Sequence, residues 1–492
     1  MKFLRHPEKP SWAVSLVPFV FLVAVLVFVI RIFGADALAG GSQVALLFAS
    51  ALVVMISMVV YRVPWKILED AILDNVRAVG SAIVILFLIG AIAGTWMISG
   101  VVPTLIYYGL KVITPGIFLL AAALISALVA VMTGSSWTTI ATIGVALIGI
   151  GTALGYDTGW TAGAIISGAY FGDKISPLSD TTILASSSSG TPLFTHIRYM
   201  MITTVPSFVI AVTVFLVVSL LHKTNDAVQV AEISGALKNT FHITPLLFIV
   251  PLITAYLIVR KVPAIITLSV ASLLAAIAAV IFQPNLLAEV ANGVASEEAV
   301  SFTEGFKGLM ITFYGSTSIE TGNEVLNSLI ATSGMTGMLN TVFLIIMAVT
   351  FGGVLAGSGM LQSLTDLLVR CVSRTVSLVG ATVGTGVFCN MITGDQYLSI
   401  ILTSNLYRKL YEDKGYENRL LSRSVEDSAT VVSVLIPWNS CGMTQATVLK
   451  VPTVDYLPYC IFNILSPLMS IFIAAIGYKI FKRPYQKKEM LK

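Results

Sequence analysis

The sequence predicts an all-α polytopic membrane protein. About 14 membrane segments are expected, in two inverted-topology repeats with broken or re-entrant helices. Three observations carry this reading. Apolar runs recur along the whole chain, each of about twenty residues and long enough to cross a bilayer core of ~30 Å as a helix. Of the 492 residues, 56% are hydrophobic and only 11% are charged, roughly half the charge of a soluble protein. Motifs of the first half return in the second at an offset near 260 residues. A transmembrane β-barrel would show short alternating segments instead. The net charge of +4 is ordinary for an inner-membrane protein and points to no nucleic-acid partner.

Taken in order, spans are expected at 12–32, 43–62, 80–100, 117–132, 134–152, 160–185 and 195–221. In the second half they are expected at 243–260, 262–282, 342–362, 377–391, 393–408, 424–448 and 455–479. The start, MKFLRHPEK followed by an apolar run and ADALAG, imitates a signal peptide with a cleavage site. Its apolar run is too long for that and reads as a retained first helix. Basic residues orient the spans. Lys2, Arg5 and Lys9 put the N-terminus inside, and Lys479, Lys482, Arg483, Lys487 and Lys488 do the same for the C-terminus. Arg62, Lys66 and Arg77, Arg260 with Lys261, Arg370 with Arg374, and the stretch from Arg408 to Arg423 mark inside loops. Glu289, Glu297, Glu298 and Glu304 fall outside.

Residues 63–79 mix charges with Trp65, Ile67, Leu68, Ile72 and Leu73, the pattern of an amphipathic helix at the membrane interface. Residues 303–341 hold the matching place in the second half, either as a similar arm or as a re-entrant piece. Cys371, Cys389, Cys441 and Cys460 lie in or beside apolar segments with no close pair, and read as packing residues.

The repeat is visible in short strings. MTGSSWTTI at 132–140 lines up with ITGDQYLSI at 392–400. Ala93-Gly94 with Met97 matches Ala356-Gly357 with Met360, and Tyr199 matches Tyr459. Seven spans per half invert the second copy, an arrangement that places transport sites near the midplane. The expected units are a first repeat over 1–221, an external connection over 222–242, a second repeat over 243–481 and a basic tail over 482–492.

The chemistry concentrates in FGDKISPLSDTTILASSSSGTP at 171–192. Pro177 removes a backbone donor and leaves carbonyls free. Non-helical backbone survives at membrane depth only where protein or a water-filled cavity satisfies it. Carbonyls and the hydroxyls around Thr181 are hard oxygen ligands suited to Na⁺. Asp173 and Asp180 supply charge, and a buried carboxylate can take a proton in place of the cation. Lys174 is the internal counter-charge. The alternative is a cytoplasmic loop between two separate helices. The second half offers SRSVEDSATVVSVLIPWNSCG at 422–442. There Asp427 takes the place of Asp173, Gly442 that of Gly190, Pro437 breaks the helix, and Asn439 and Ser440 add oxygens. Glu426 is adjacent to the site and equally suits the cytoplasmic boundary, whereas His196 and Arg198 read as boundary residues. Thr133-Gly134-Ser135-Ser136 and Thr393-Gly394-Asp395-Gln396 read as helix breaks whose ends point at the site. Plain helix capping competes as an explanation of Ser135, Ser136 and Asp395. Glu320 and Glu324 read as solvated. No nucleotide-binding loop and no catalytic triad or zinc spacing is present, so neither an enzyme nor a cofactor is expected.

The strings TGSSWTTIATIGVALIGIG, GAYFGDKISPLSDTTILASSSSGT and ITGDQYLSIILTSNLYR with SRSVEDSATVVSVLIPWNSCG resemble the NhaC family of bacterial Na⁺/H⁺ antiporters over nearly the whole chain. The resemblance implies a secondary transporter of the plasma membrane, built from paired inverted repeats and often a homodimer. It also admits relatives of a malate/lactate antiporter and carriers of amino acids. The expected activity is exchange of cytoplasmic Na⁺ for external protons. The alternative is Na⁺- or H⁺-coupled movement of a small organic anion or amino acid. A channel is disfavoured by the broken helices. The expected partners are the bilayer, Na⁺ and H⁺.

Overall fold

The computed structural model describes residues 10–33, 40–222, 227–260, 262–293, 300–370, 372 and 374–482. The N-terminal basic residues, Lys261, Glu297, Glu298, Cys371 and the tail beyond Lys482 lie outside the described residues. Among those described there is no strand, only isolated bridges such as Thr317 with Thr332. Nine helices are long and apolar enough to span a membrane, or up to eleven if two bent helix pairs each count as one span. The first is Trp12–Phe33. The remaining expected segments are helical but of another kind. Thr158–Ile175 and Asp180–Ser189 are two pieces of one broken segment. Asn418–Val425 and Ser440–Leu449 flank a longer break. Gln396–Asp413 is continuous but carries Arg408, Lys409, Glu412 and Asp413 at its end.

The amphipathic stretch forms helix Trp65–Ala78. Lys66 pairs with Asp70 at 2.9 Å on its exposed side. Its inner side buries Leu68 and Asn75, and Asn75 Nδ2 donates to the Val349 carbonyl at 3.1 Å. The 303–341 region folds as helices Phe302–Tyr314 and Glu324–Ile330, with the Thr317–Thr332 bridge between them.

Element boundaries repeat at a constant offset of 260 through the polar part of the chain. Gly134 and Gly394 both close a helix with φ of 64°, a left-handed conformation that favours glycine. Gly155 and Gly415 are left-handed at 77° and 75°. Ser179 and Asn439 cap the helices that start at Asp180 and Ser440. Gly190 and Lys450 are the left-handed ends of those helices, and Pro192 and Pro452 precede the next ones.

Helix Phe118–Thr133 packs lengthwise on Thr158–Ile175. A Cβ at Gly168 would lie 2.1 Å from the Ala123 carbonyl oxygen, and one at Gly172 would lie 2.3 Å from that of Ala127. Glycines four apart let two apolar helices approach backbone to backbone. That contact holds Asp173 and Lys174 against the first helix break.

Candidate ion-binding site

The two T-G breaks are built alike. Thr133 Oγ1 donates to the Ser135 carbonyl at 3.1 Å and lies 3.2 Å from Thr139 Oγ1. Thr393 Oγ1 donates to the Asp395 carbonyl at 3.0 Å and lies 3.1 Å from Ser399 Oγ. In each break the hydroxyl adds a second donor to the carbonyl of the residue that starts the next helix, which also accepts the Thr139 or Ser399 amide. Both capping and site roles occur. Ser135 Oγ accepts from the Thr138 amide at 3.2 Å, so Ser135 is a cap. Ser136 instead turns both its donors on Asp173 Oδ2, the amide at 3.0 Å and Oγ at 2.7 Å.

The second break differs in side chains. Asp395 caps its helix through Oδ1, which accepts from the Leu398 amide at 3.0 Å, while Oδ2 accepts from Ser440 Oγ at 3.3 Å. Asn439 Oδ1 accepts from the Cys441 amide at 3.0 Å, and its Nδ2 donates to Asn390 Oδ1 at 3.2 Å. The unwound backbone between the flanking helices is met by amides. Asn390 Nδ2 donates to the Ala429 carbonyl at 2.6 Å and Asn463 Nδ2 to that of Val431 at 2.9 Å. In the first half, Ser176 Oγ ties its break to the Val131 carbonyl at 2.8 Å, and Thr182 Oγ1 takes the Lys174 carbonyl at 3.0 Å.

A cavity of about 300 Å³ opens between these breaks. Thr133, Ser135, Asp173, Asp180, Thr181 and Gln396 line it, with Ile258, Val262 and Pro263 beside them. Asp173 is 6% exposed, whereas Asp180 begins its helix in the open part of the cavity. Behind Asp173, outside the cavity lining, Lys174 is fully buried and ion-paired with Asp427. Ser466 bridges the pair, accepting from Lys174 Nζ at 3.0 Å and donating to Asp427 Oδ1 at 2.9 Å. Thr203 Oγ1 adds a donor to that oxygen at 3.3 Å.

Every sequence-predicted site residue falls near one of these three clusters, but the expected pairing of Asp427 with Asp173 needs correction. The caps set the register, and it places Ser433 opposite Asp173. The same pair of positions touches in both halves, with donor and acceptor exchanged: Ser433 Oγ donates to Gln396 Oε1 at 3.4 Å, whereas Ser136 Oγ donates to Asp173 Oδ2. Gly442 is no counterpart of Gly190 either, since it lies inside helix Ser440–Leu449. His196 was expected at the cytoplasmic boundary and Glu426 there or beside the site, and both are fully buried. His196 Nδ1 lies 2.9 Å from Ser422 Oγ. Thr203 and Ser466 were missed. Their only signal was a hydroxyl three residues before Pro206 and one residue before Pro467, inside apolar helices.

The sequence profile of the Na⁺/H⁺ antiporter family matches residues 10–188 and 168–478. A Na⁺/H⁺ antiporter NhaC of Alkalihalophilus pseudofirmus is 39% identical over 86% of this chain and 87% of its own. The arginine/ornithine antiporter ArcD of Halobacterium salinarum is 34% identical over 98% and 96%. A malate-2H⁺/Na⁺-lactate antiporter of Bacillus subtilis is 36% identical over 84% and 85%. With its apolar spans, the chain is a multi-pass membrane protein, and it belongs to the Na⁺/H⁺ antiporter family.

Proposed function

We propose that this protein exchanges cytoplasmic Na⁺ for external protons, with Asp173 as the carboxylate that meets the cation. One observation carries the choice over an organic substrate. The fixed cation that could recognise an organic carboxylate, Lys174, is consumed by Asp427 and does not line the cavity. The helix start at Ser136 is likewise spent on Asp173. The charged groups among the cavity lining are carboxylates, with hydroxyls beside them and apolar side chains such as Ile85 and Ile258 around them, and these oxygens form a hard set suited to an alkali cation. Names of relatives that move malate, lactate, arginine or ornithine keep the organic reading as the second one. The test is reconstitution into liposomes with an internal pH dye. Na⁺ alone is expected to drive proton flux, with malate, lactate, arginine and ornithine dispensable. Flux that vanishes without one of those solutes would support the second reading.

The constant offset of 260 supports two repeats, 1–221 and 243–481, joined by an external connection at 222–242. The basic residues of the inside loops support both termini in the cytoplasm of a bacterial inner membrane. In that orientation the large cavity, which reaches Ile258 and Pro263 beside Arg260, opens inward. A second cavity of about 170 Å³ lies further along the same helix. Ser81, Ala82 and Ile85 of helix Gly80–Ile98 line the first cavity, and Ile89, Ala93 and Met97 line the second. These positions form one helical stripe, so the two cavities are read as the ends of one path. Lys450 closes the outer end, donating to the carbonyls of Leu329, at 3.4 Å, and Ala331. A cysteine in place of exposed Phe302 is expected to react with an impermeant thiol reagent only from outside. Labelling from the cytoplasmic side alone would overturn the orientation.

A further inference from the structure

The buried group that this exchange scheme leaves unused is Glu426. It sits in the wide helical turn Glu426–Thr430 and is fully buried. Neither of its carboxyl oxygens has a hydrogen-bond partner of ordinary geometry, the Thr430 hydroxyl of the same turn being the one donor close enough to act on it. The other three buried carboxylates are different, and Asp395 receives the Leu398 amide and the Ser440 hydroxyl. Asp173 receives both donors of Ser136, and Asp427 receives Lys174, Ser466 and Thr203. Donors favour a carboxylate in its charged form, and burial without donors favours the neutral acid.

The surroundings sharpen the contrast. Lys174, Asp173 and Asp427 are within electrostatic reach of Glu426. The turn packs on helices Thr375–Thr393, Gln396–Asp413, Asn418–Val425, Asp180–Ser189 and Ile461–Ala475. Those helices carry Cys389, Tyr407, Arg423 and Asp180 among their ionisable residues, and Ile461–Ala475 carries none. None of them gives Glu426 a hydrogen bond. Arg423 lies one turn earlier with its guanidinium 4.8 Å above the Tyr199 ring, and its nitrogens also lack hydrogen-bond partners. Lys174, the ammonium nearest in charge, is held by Asp427. Glu426 therefore stands beside two carboxylates, with no cation bonded to it.

We propose that Glu426 is a second proton-binding residue of the transport site, in addition to Asp173, where cation and proton compete. The inference rests on the Na⁺/H⁺ reading above. In the state seen here Glu426 holds its proton. Releasing it would leave a charge beside Asp427, to be met by the Lys174 ammonium on leaving Asp427 or by the unpartnered Arg423 guanidinium one turn earlier. Proton release is thereby linked to rearrangement of one of these two cations.

The test uses the full-length protein in proteoliposomes with Na⁺ as the only added solute. Two rates are read: Na⁺-driven proton flux by an internal pH dye, and exchange of radioactive for unlabelled Na⁺. Glu426→Gln is expected to lower Na⁺-driven proton flux and displace its pH profile, while Na⁺–Na⁺ exchange persists with the pH dependence that competition at Asp173 gives it. Asp173→Asn is expected to lose both. Infrared spectra should show a protonated carboxylic acid that Glu426→Gln removes and Asp173→Asn keeps. A Glu426→Gln protein with the parental flux and pH profile overturns the proposal. So does one that loses Na⁺–Na⁺ exchange together with proton flux. If Glu426→Gln is not monodisperse, Glu426→Asp decides: a displaced pH profile supports the assignment and the parental profile overturns it. If the parent protein moves no protons against Na⁺, the exchange reading itself fails. The infrared band then decides alone, and its persistence in Glu426→Gln overturns the proton assignment.

Discussion

Asp173→Asn is expected to abolish Na⁺-driven proton flux in a protein that still folds and reaches the membrane. The variant keeps the shape of the side chain and one oxygen for the Ser136 donors, which lie at 3.0 and 2.7 Å. It loses the charge that a cation entering the cavity would meet. A charged partner contributes about 1.5–3 kcal/mol to such a contact, so cation affinity should fall roughly 10- to 150-fold. Asn also has no titrating proton at neutral pH, so the residual cation binding is no longer opposed by protons at this residue. Asp180→Asn is the internal comparison. Asp180 lies in the open part of the same cavity, where water screens its charge, and its loss should slow exchange without ending it. Parental rate and pH profile in a monodisperse Asp173→Asn protein would remove Asp173 from the cation path.

The second large effect concerns stability. Lys174→Met leaves Asp427 with a buried charge and only the hydroxyls of Ser466 and Thr203 as donors. Breaking one side of a buried ion pair costs about 3–5 kcal/mol. Thermal unfolding in detergent should therefore show a marked fall for Lys174→Met, and a similar one for Asp427→Leu, which strands the ammonium. The double variant removes both charges and should recover much of the loss, since a well-packed apolar pair can replace a buried ion pair at little cost. Lys174→Arg is no conservative rescue, because a planar guanidinium does not fit the place of a point charge bridged to Ser466. Single variants as stable as the parent, with no coupling in the cycle, would show that the pair carries no structural weight.

The parts of this molecule that physics writes into local sequence were legible before the fold. Long apolar runs announce spanning helices, and Thr-Gly followed by a polar residue announces a break, because only a left-handed residue ends a helix so tightly. MTGSSWTTI and ITGDQYLSI build the same hydroxyl-to-carbonyl bonds, as their shared Thr-Gly suggests. The pairing of Asp173 with Asp427 failed for the complementary reason. Register beyond the breaks is carried by caps whose geometry repeats while their residues do not. Ser179 answers to Asn439, and Gly190 to Lys450, a lysine in the left-handed region at φ of 55°. The burial of His196 comes from packing of helix Leu193–Leu221 on Asn418–Val425, and that of Glu426 from helices Thr375–Thr393, Gln396–Asp413 and Asn418–Val425 around its turn, contacts that no local pattern reports. The Lys174–Asp427 pair spans 253 residues and was invisible for the same reason.

The central claim is that Na⁺ and protons compete for the Asp173 site. The direct measurement is the apparent KM for Na⁺ in proteoliposomes across a series of external and internal pH values set equal. The account predicts that KM rises as pH falls, by up to roughly tenfold per pH unit, the limit for competition with one proton, while the rate at saturating Na⁺ changes little. A KM that stays constant while the saturating rate alone follows pH would contradict shared occupancy and place the proton outside the cation's site.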